Sequence, residues 1–288
     1  MPNHTKYALY AAYVTIVGIV LLYALFPSET VKEYLIANVQ GRNPDLGLTI
    51  DGVRPTLSLG IRLRKIGLEY KQSPMLDVDH IAIRPRLWSL LGEEKAFDFK
   101  GKTNDGRFSG TGGMSTGAKT GQIEIEVEFS DIQMDTIPAV QQLSDREITG
   151  LLGGKVVYIR KGIVGAVSAN LTLENGIVDL DLPVLKLQRL SFEKIETDLA
   201  LNRQMVRVRT FTLSGEQMDG DFSGTIRLKQ PLGNSAIKLS GALKAHPLFL
   251  DELAKTIPKA LFPKKLRGEK GLPVRLKGTL EKPGFALK

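Results

Sequence analysis

The chain has 288 residues, with 39 Lys and Arg against 31 Asp and Glu, three histidines and no cysteine. A composition of 42% hydrophobic and 24% charged residues can bury a core and argues against wholesale disorder. It excludes disulfides, thiolate catalysis and sulfur-built metal sites, and leaves little material for histidine-based acid–base chemistry.

From Tyr7 to Phe26 no side chain is charged, and only Thr15 and Gly18 interrupt an apolar or aromatic run. About twenty such residues in a helix span the ~30 Å of hydrocarbon in a bilayer. The candidate anchor side chains are Tyr7, Tyr10, Val14, Ile16, Val20, Leu22 and Phe26, with rings toward the ends where an interface favours them. A cleaved signal peptide is the competing reading. Against it, the charged leader is short, and the exit Tyr23-Ala24-Leu25-Phe26-Pro27 has no small-x-small cleavage pattern. Lys6 on one flank and Glu29, Lys32 and Glu33 on the other place the N-terminus in the cytoplasm and residues 28–288 outside it.

Ser28 is positioned to cap a short stalk or capping helix running to about Gln40. Val31, Tyr34, Leu35 and Val39 form its apolar stripe, and Gly41 and Pro44 end it. Beyond residue 45 the hydrophobic period becomes two. The clearest strand is Gln122–Phe129, where Ile123, Ile125, Val127 and Phe129 alternate with Glu124, Glu126 and Glu128. Alternation of this kind buries one face and wets the other. The pattern recurs in Leu180, Leu182 and Val184, in Phe222 and Ile226, in Ile237 and Leu239, and in Val274 and Leu276. Between Ile61 and Tyr70 the phase slips, which predicts a β-bulge near Arg64-Lys65. Asn175-Gly176 is the strongest hairpin signal, with Asp51-Gly52, Asp105-Gly106, Lys161-Gly162 and Asp219-Gly220 as further reversals.

About a dozen strands at this spacing predict an antiparallel meander. Short helices are expected near Arg86–Leu91, Asp135–Leu143 and Pro247–Lys255. Three short helices do not cover so large a sheet, so the apolar face must be covered by the sheet's own curvature or by something else. Ile123, Ile125, Val127, Phe129, Leu180, Leu182, Val184, Phe222 and Ile226 are the candidate lining of an apolar groove. Their alternative role is a dry core.

The segment Asp105-Gly-Arg-Phe-Ser-Gly-Thr111 is echoed by Asp219-Gly-Asp-Phe-Ser-Gly-Thr225, which reads either as two similar hairpin strands or as sub-repeats over 46–150 and 151–288. The last 38 residues hold ten Lys and Arg against four Asp and Glu. Lys259, Lys264, Lys265, Arg267 and Lys270 are their densest run, either a contact for anionic lipid or an acidic partner, or a solvated loop. No nucleic-acid-binding motif accompanies them.

Gly112 to Thr120 resembles a phosphate-binding loop only superficially, because Ala118 precedes Lys119 and a strand, not a helix, follows. Gly113-x-Ser115-x-Gly117 has the spacing of a nucleophile elbow but lacks a following helix. Asp77, Asp79 and His80 read as the wet face of a strand rather than as a metal site. No catalytic residue, metal site or cofactor is expected.

Three blocks carry a resemblance: Phe26-Pro-Ser-Glu-Thr-Val-Lys-Glu-Tyr-Leu35, Ile50-Asp-Gly-Val-Arg-Pro55, and Ile81-Ala-Ile-Arg-Pro-Arg-Leu-Trp-Ser-Leu-Leu91. With them, the first third of the chain resembles the type II secretion system protein N (GspN) family. The tail Leu272-Pro-Val-Arg-Leu-Lys-Gly-Thr-Leu-Glu-Lys-Pro-Gly-Phe285 is similar to the closing repeat of AsmA-like proteins. The resemblance implies a mainly β protein: one N-terminal transmembrane helix (residues 1–27 with its cytoplasmic tip), a stalk or cap over 28–45, and a large curved antiparallel sheet of the β-taco type over 46–288. It implies a non-enzymatic bacterial inner-membrane component, largely periplasmic, working with other secretion-system proteins in protein export. A phospholipid-binding or lipid-transfer module is the alternative it leaves open.

Overall fold

The structure, a computed structural model, describes residues 3–57, 59–103, 105–115, 121–142, 148–162, 164–182, 187–247, 249 and 271–287. Two helices come first, α1 (Asn3–Ala24) and α2 (Ser28–Arg42). Six strands follow: β1 (Leu46–Thr56), β2 (Gly60–Tyr70), β3 (Ser73–Pro85), β4 (Glu94–Thr103), β5 (Gly106–Ser115) and β6 (Gln122–Gln133). After the one-turn helix α3 (Pro138–Gln141) come β7 (Ile148–Lys161), β8 (Val164–Leu182), β9 (Leu187–Asn202), β10 (Met205–Gly215) and β11 (Met218–Arg227). The last strands are β12 (Ala236–Ala245), β13 (Leu272–Thr279) and β14 (Pro283–Leu287). All fourteen form one open antiparallel sheet, and their order in it is their order in the chain. The predicted meander therefore accounts for every strand among the described residues.

Among the described residues no helix is long and apolar enough to cross a membrane. The span expected over Tyr7–Phe26 thus rests on the sequence alone. In α1 the side chains of Tyr7, Tyr10, Val14, Ile16 and Val20 are exposed, and that of Leu22 lies outside the described residues. Phe26 belongs elsewhere: with Val31, Leu35 and Ile36 of α2 it packs on Ile50, Val53 and Leu63 of β1 and β2. Ser28 does not cap α2. Pro27 holds the N-cap position, and no side chain bonds the free amides there.

The phase slip in β2 is real, but its cause is not an extra residue. Ile50 pairs with Ile66 and Gly52 with Arg64, leaving one residue on each strand between them. The same holds between β2 and β3, where Arg64 pairs with His80 and Ile66 with Val78. Asp51, Lys65 and Asp79 thus lie in one row at which three strands change phase together, and Lys65 takes a φ of 45° there. Asp51-Gly52 sits inside this kink and does not reverse the chain.

Asn175-Gly176 does not make a hairpin either. It lies within β8, where Leu151 pairs with Glu174 but Thr149 pairs with Ile177, so β8 carries one extra residue against β7. Asn175 adopts the left-handed region at φ 52°. Asn-Gly tolerates such dihedrals in a bulge as readily as in a turn. Asp219-Gly220 is likewise inside β11. Asp105-Gly106 and Lys161-Gly162 do reverse the chain, with positive φ at Asp105 and Gly162. The helix expected near Arg86–Leu91 is a 3-10 turn over Leu87–Leu91, and most of the one expected near Pro247–Lys255 lies outside the described residues.

Among the described residues there are two buried centres. One is the α2 contact with β1 and β2. The other gathers Phe192, Leu213, Phe222 and Val274 from β9, β10, β11 and β13. Beside the second centre, His246, just after β12, fastens that strand's end to the turn between β10 and β11. Its Nδ1 lies 3.0 Å from the Glu216 carbonyl oxygen and its Nε2 2.9 Å from Asp219 Oδ2. Both partners only accept, so both ring nitrogens are best protonated. The Asp219 hydrogen bond raises the His246 pKa above its ordinary value, and the same bond first among several lowers that of Asp219. A raised histidine stabilises the fold fully below its unfolded-state value of about 6.5, and that contribution fades as pH rises through the higher folded value. His246→Gln is therefore expected to lower Tm more at mildly acidic than at mildly alkaline pH. Equal losses at the two pH values in thermal melts would refute the assignment.

Candidate functional site

Side chains that share a face are set by strand register, because cross-strand partners point the same way. On β6, Ile123, Ile125, Val127 and Phe129 stand opposite Met114, Gly112, Gly110 and Phe108 of β5. On the other flank they face Arg160, Tyr158, Val156 and Gly154 of β7. The row runs on through Val167, Ala169 and Leu171 of β8 and Leu201, Leu199 and Thr197 of β9. It reaches Val206, Val208 and Phe211 of β10, then Ile226 and Phe222 of β11. The groove residues predicted on β6 and β11 thus lie on one continuous face, five strands apart. Leu180 and Leu182 belong to β8, but their side chains are outside the described residues, as is Val184 altogether. The basic run Lys259, Lys264, Lys265, Arg267 and Lys270 also falls outside them.

Burial divides this face. Phe222 is 7% exposed inside the core of β9 to β13, so that end is closed. Ile123, Ile125, Val127, Phe129 and Ile226 are only half-buried. The stretch over β4 to β8, between the two buried centres, is the candidate site.

Its floor has an unusual make-up. Phe97, Phe99 and Phe108 form a file with ring centroids 6.2 and 6.4 Å apart. Each ring lies over a glycine on the neighbouring strand: Phe97 over Gly112, Phe99 over Gly110 and Phe108 over Gly101. A methyl group at any of these glycines would run into the ring. The rings therefore lie low against bare backbone, the aromatic-over-glycine arrangement that also pins register. At one end of the floor Arg160 interrupts the apolar row, and its Nε is buried with no hydrogen-bond partner among the described residues. Sequence reasoning missed both features, because pairing across strands fixes them and spacing along the chain does not.

The opposite face is charged. Lys155 Nζ reaches Glu126 Oε1 at 2.5 Å and Glu128 Oε1 at 3.2 Å, and the Glu126 bond chiefly raises the lysine above its ordinary pKa. Arg86 grips Asp98 through Nε at 2.9 Å and Nη2 at 2.5 Å, holding that carboxyl below its usual range. Exposed pairs of this kind position side chains more than they stabilise the fold. Among the described residues no group of three His, Asp or Glu side chains is arranged to hold a metal ion. No family model, curated protein or solved structure matches the chain.

Proposed function

We propose that the protein is a non-enzymatic module, tethered to a bacterial inner membrane with its sheet outside the cytoplasm, that holds lipid acyl chains along its apolar face. The observation that carries this reading is the half-buried floor of β4 to β8, a run of Phe, Ile, Val and Gly that belongs to neither buried centre among the described residues. Acyl chains buried there gain about 0.8 kcal/mol per CH₂. Arg160, at the end of the floor, supplies a guanidinium for a phosphate headgroup. The tether rests on the uncharged run from Tyr7 to Phe26.

The test is mass spectrometry of lipid carried by the purified full chain. Co-purifying phospholipid is expected in wild type. Ile125→Arg should remain folded and lose most of it, and Arg160→Gln should retain less. Lipid-free wild type together with an unfolded Ile125→Arg variant would mean that the face is a closed core.

A second reading is a structural subunit of a type II secretion system. It is favoured by the N-terminal resemblance to the protein N family and by the edge strand β14, whose outer side pairs with no other strand among the described residues. Crosslinking in the native membrane separates the two readings: secretion proteins captured along β14 support the second.

A further inference from the structure

One edge of the sheet near the end of α1 is built unlike the rest of the surface. The β1–β2 turn and the β3–β4 connection lie on this edge, two strand spacings or about 10 Å apart. Both present large apolar side chains to solvent: Leu57 is 86% exposed, Trp88 89% and Leu91 85%, with Leu59 and Leu87 also exposed. These side chains are held in place. Arg86, just before the 3-10 turn, donates its amide to the Ala96 carbonyl at 2.9 Å and clamps Asp98 of β4. Ser89 Oγ accepts the Ala96 amide at 2.9 Å and donates to the Arg86 carbonyl at 2.6 Å. The turn is fastened to β4 so that Trp88 and Leu91 point outward.

The adjoining charged face is strongly basic. Arg54 stands directly opposite Arg62, and Arg64, His80, Lys102 and Arg107 form one row across β2 to β5. Like charges directly opposed across strands repel. Arg54, Arg62, Arg64, Lys65 and Arg84 have no carboxylate partner among the described residues. These five line a cleft of about 790 Å³ together with one carboxylate, Asp79, with Leu57, and with Tyr23, which lies near the C-terminal end of α1, so cations outnumber carboxylates there five to one. An arrangement of Trp and Leu at a rim, with unpaired cations behind it, matches the interfacial layer of a bilayer, where rings sit at headgroup depth and Arg binds phosphate.

We infer that the edge formed by Leu57, Leu59, Leu87, Trp88 and Leu91 docks into the interface of a bilayer carrying anionic phospholipid, with Arg54, Arg62, Arg64, Lys65 and Arg84 on the lipid phosphates. The inference deepens the tethered reading above and rests on it for which membrane is meant. Docking stands the sheet on the bilayer with its strand ends toward the lipid.

Trp88 is the sole tryptophan, so it reports on this edge directly. The full chain is reconstituted into vesicles of phosphatidylcholine with phosphatidylglycerol, with and without brominated acyl chains. Trp88 emission should move to shorter wavelength, be quenched by the brominated lipid, and become at least roughly threefold less accessible to acrylamide. Neutralising two cations, Arg54→Gln with Arg62→Gln, should weaken docking roughly 30-fold, about fivefold for each charge. Leu57→Ser with Leu91→Ser should return Trp88 to water. Alkaline carbonate washing reports on the tether separately. A chain that resists the wash while Trp88 stays fully open to acrylamide overturns the docking and leaves the tether standing. A chain that is washed off after showing lipid quenching of Trp88 supports the docking and removes the tether. Trp88 shielded equally without lipid, in chains that crosslink to one another, assigns the edge to a second copy and overturns the inference.

Discussion

Phe222→Ala is expected to lower the free energy of unfolding by about 3–5 kcal/mol, the range for truncating a buried aromatic side chain. Phe222 is the hub of the buried centre at β9 to β13, in one cluster with Phe192, Leu213 and Val274. It also meets Phe211 edge-on, at 6.2 Å between centroids and 64° between planes. Its neighbours come from several strands, so the hole left by alanine does not collapse easily. Urea denaturation reads the loss as a lower midpoint for the unfolding of the C-terminal strands. Phe129→Ala is the informative contrast. Phe129 lies on the same face but is only half-buried, so its truncation should cost less while reducing bound lipid. Equal losses at the two positions would mean that the middle of the face is as closed as its end.

Gly241→Ala should be nearly as damaging, at about 3 kcal/mol, the upper part of the range for overpacking. Gly241 pairs with Phe222, and a Cβ there would collide with the carbonyl oxygen of Asp221 on β11. The obstacle is backbone, so no side-chain rotation relieves it. Gly113→Ala is the control. A Cβ at Gly113 meets nothing within 4 Å, so the change should be neutral or slightly stabilising, because alanine narrows the unfolded ensemble. Thermal melts of the two variants side by side decide the matter, and a Gly241→Ala protein as stable as wild type would overturn the packing described for this corner.

The sequence made the strands legible wherever one side of the pleat is wet. Glu124, Glu126 and Glu128 against Ile123, Ile125, Val127 and Phe129 announced β6, and about a dozen strands at even spacing implied a meander, where the structure has fourteen. Asn175-Gly176 misled because the same left-handed dihedral serves a turn and a bulge, and only the long pairing of β8 with β7 and β9 tells them apart. Asp51-Gly52 misled because it lies in a kink shared by three strands, where the left-handed dihedral falls to Lys65 and the chain does not reverse. At the site, the apolar face was readable as alternation, but its division into a closed end and an open middle was not. That division depends on which side chains distant strands bring together, as Phe192, Leu213, Phe222 and Val274 meet at the closed end. Leu57, Trp88 and Leu91 carry no periodic signal, and they become a group only when register brings their two turns to one edge.

Because every strand pairs only with its predecessor and successor along the chain, each pairing closes a loop of a few residues wherever a tight turn joins the two. Such a ladder has low contact order for a β protein and can grow by sequential zippering, one rung at a time from the N-terminal end as the polypeptide emerges. Its cooperativity should resemble that of a solenoid, with damage at one rung felt mainly by the next. A defect near β11 would then unravel the C-terminal rungs first and leave the N-terminal hairpins protected against hydrogen exchange.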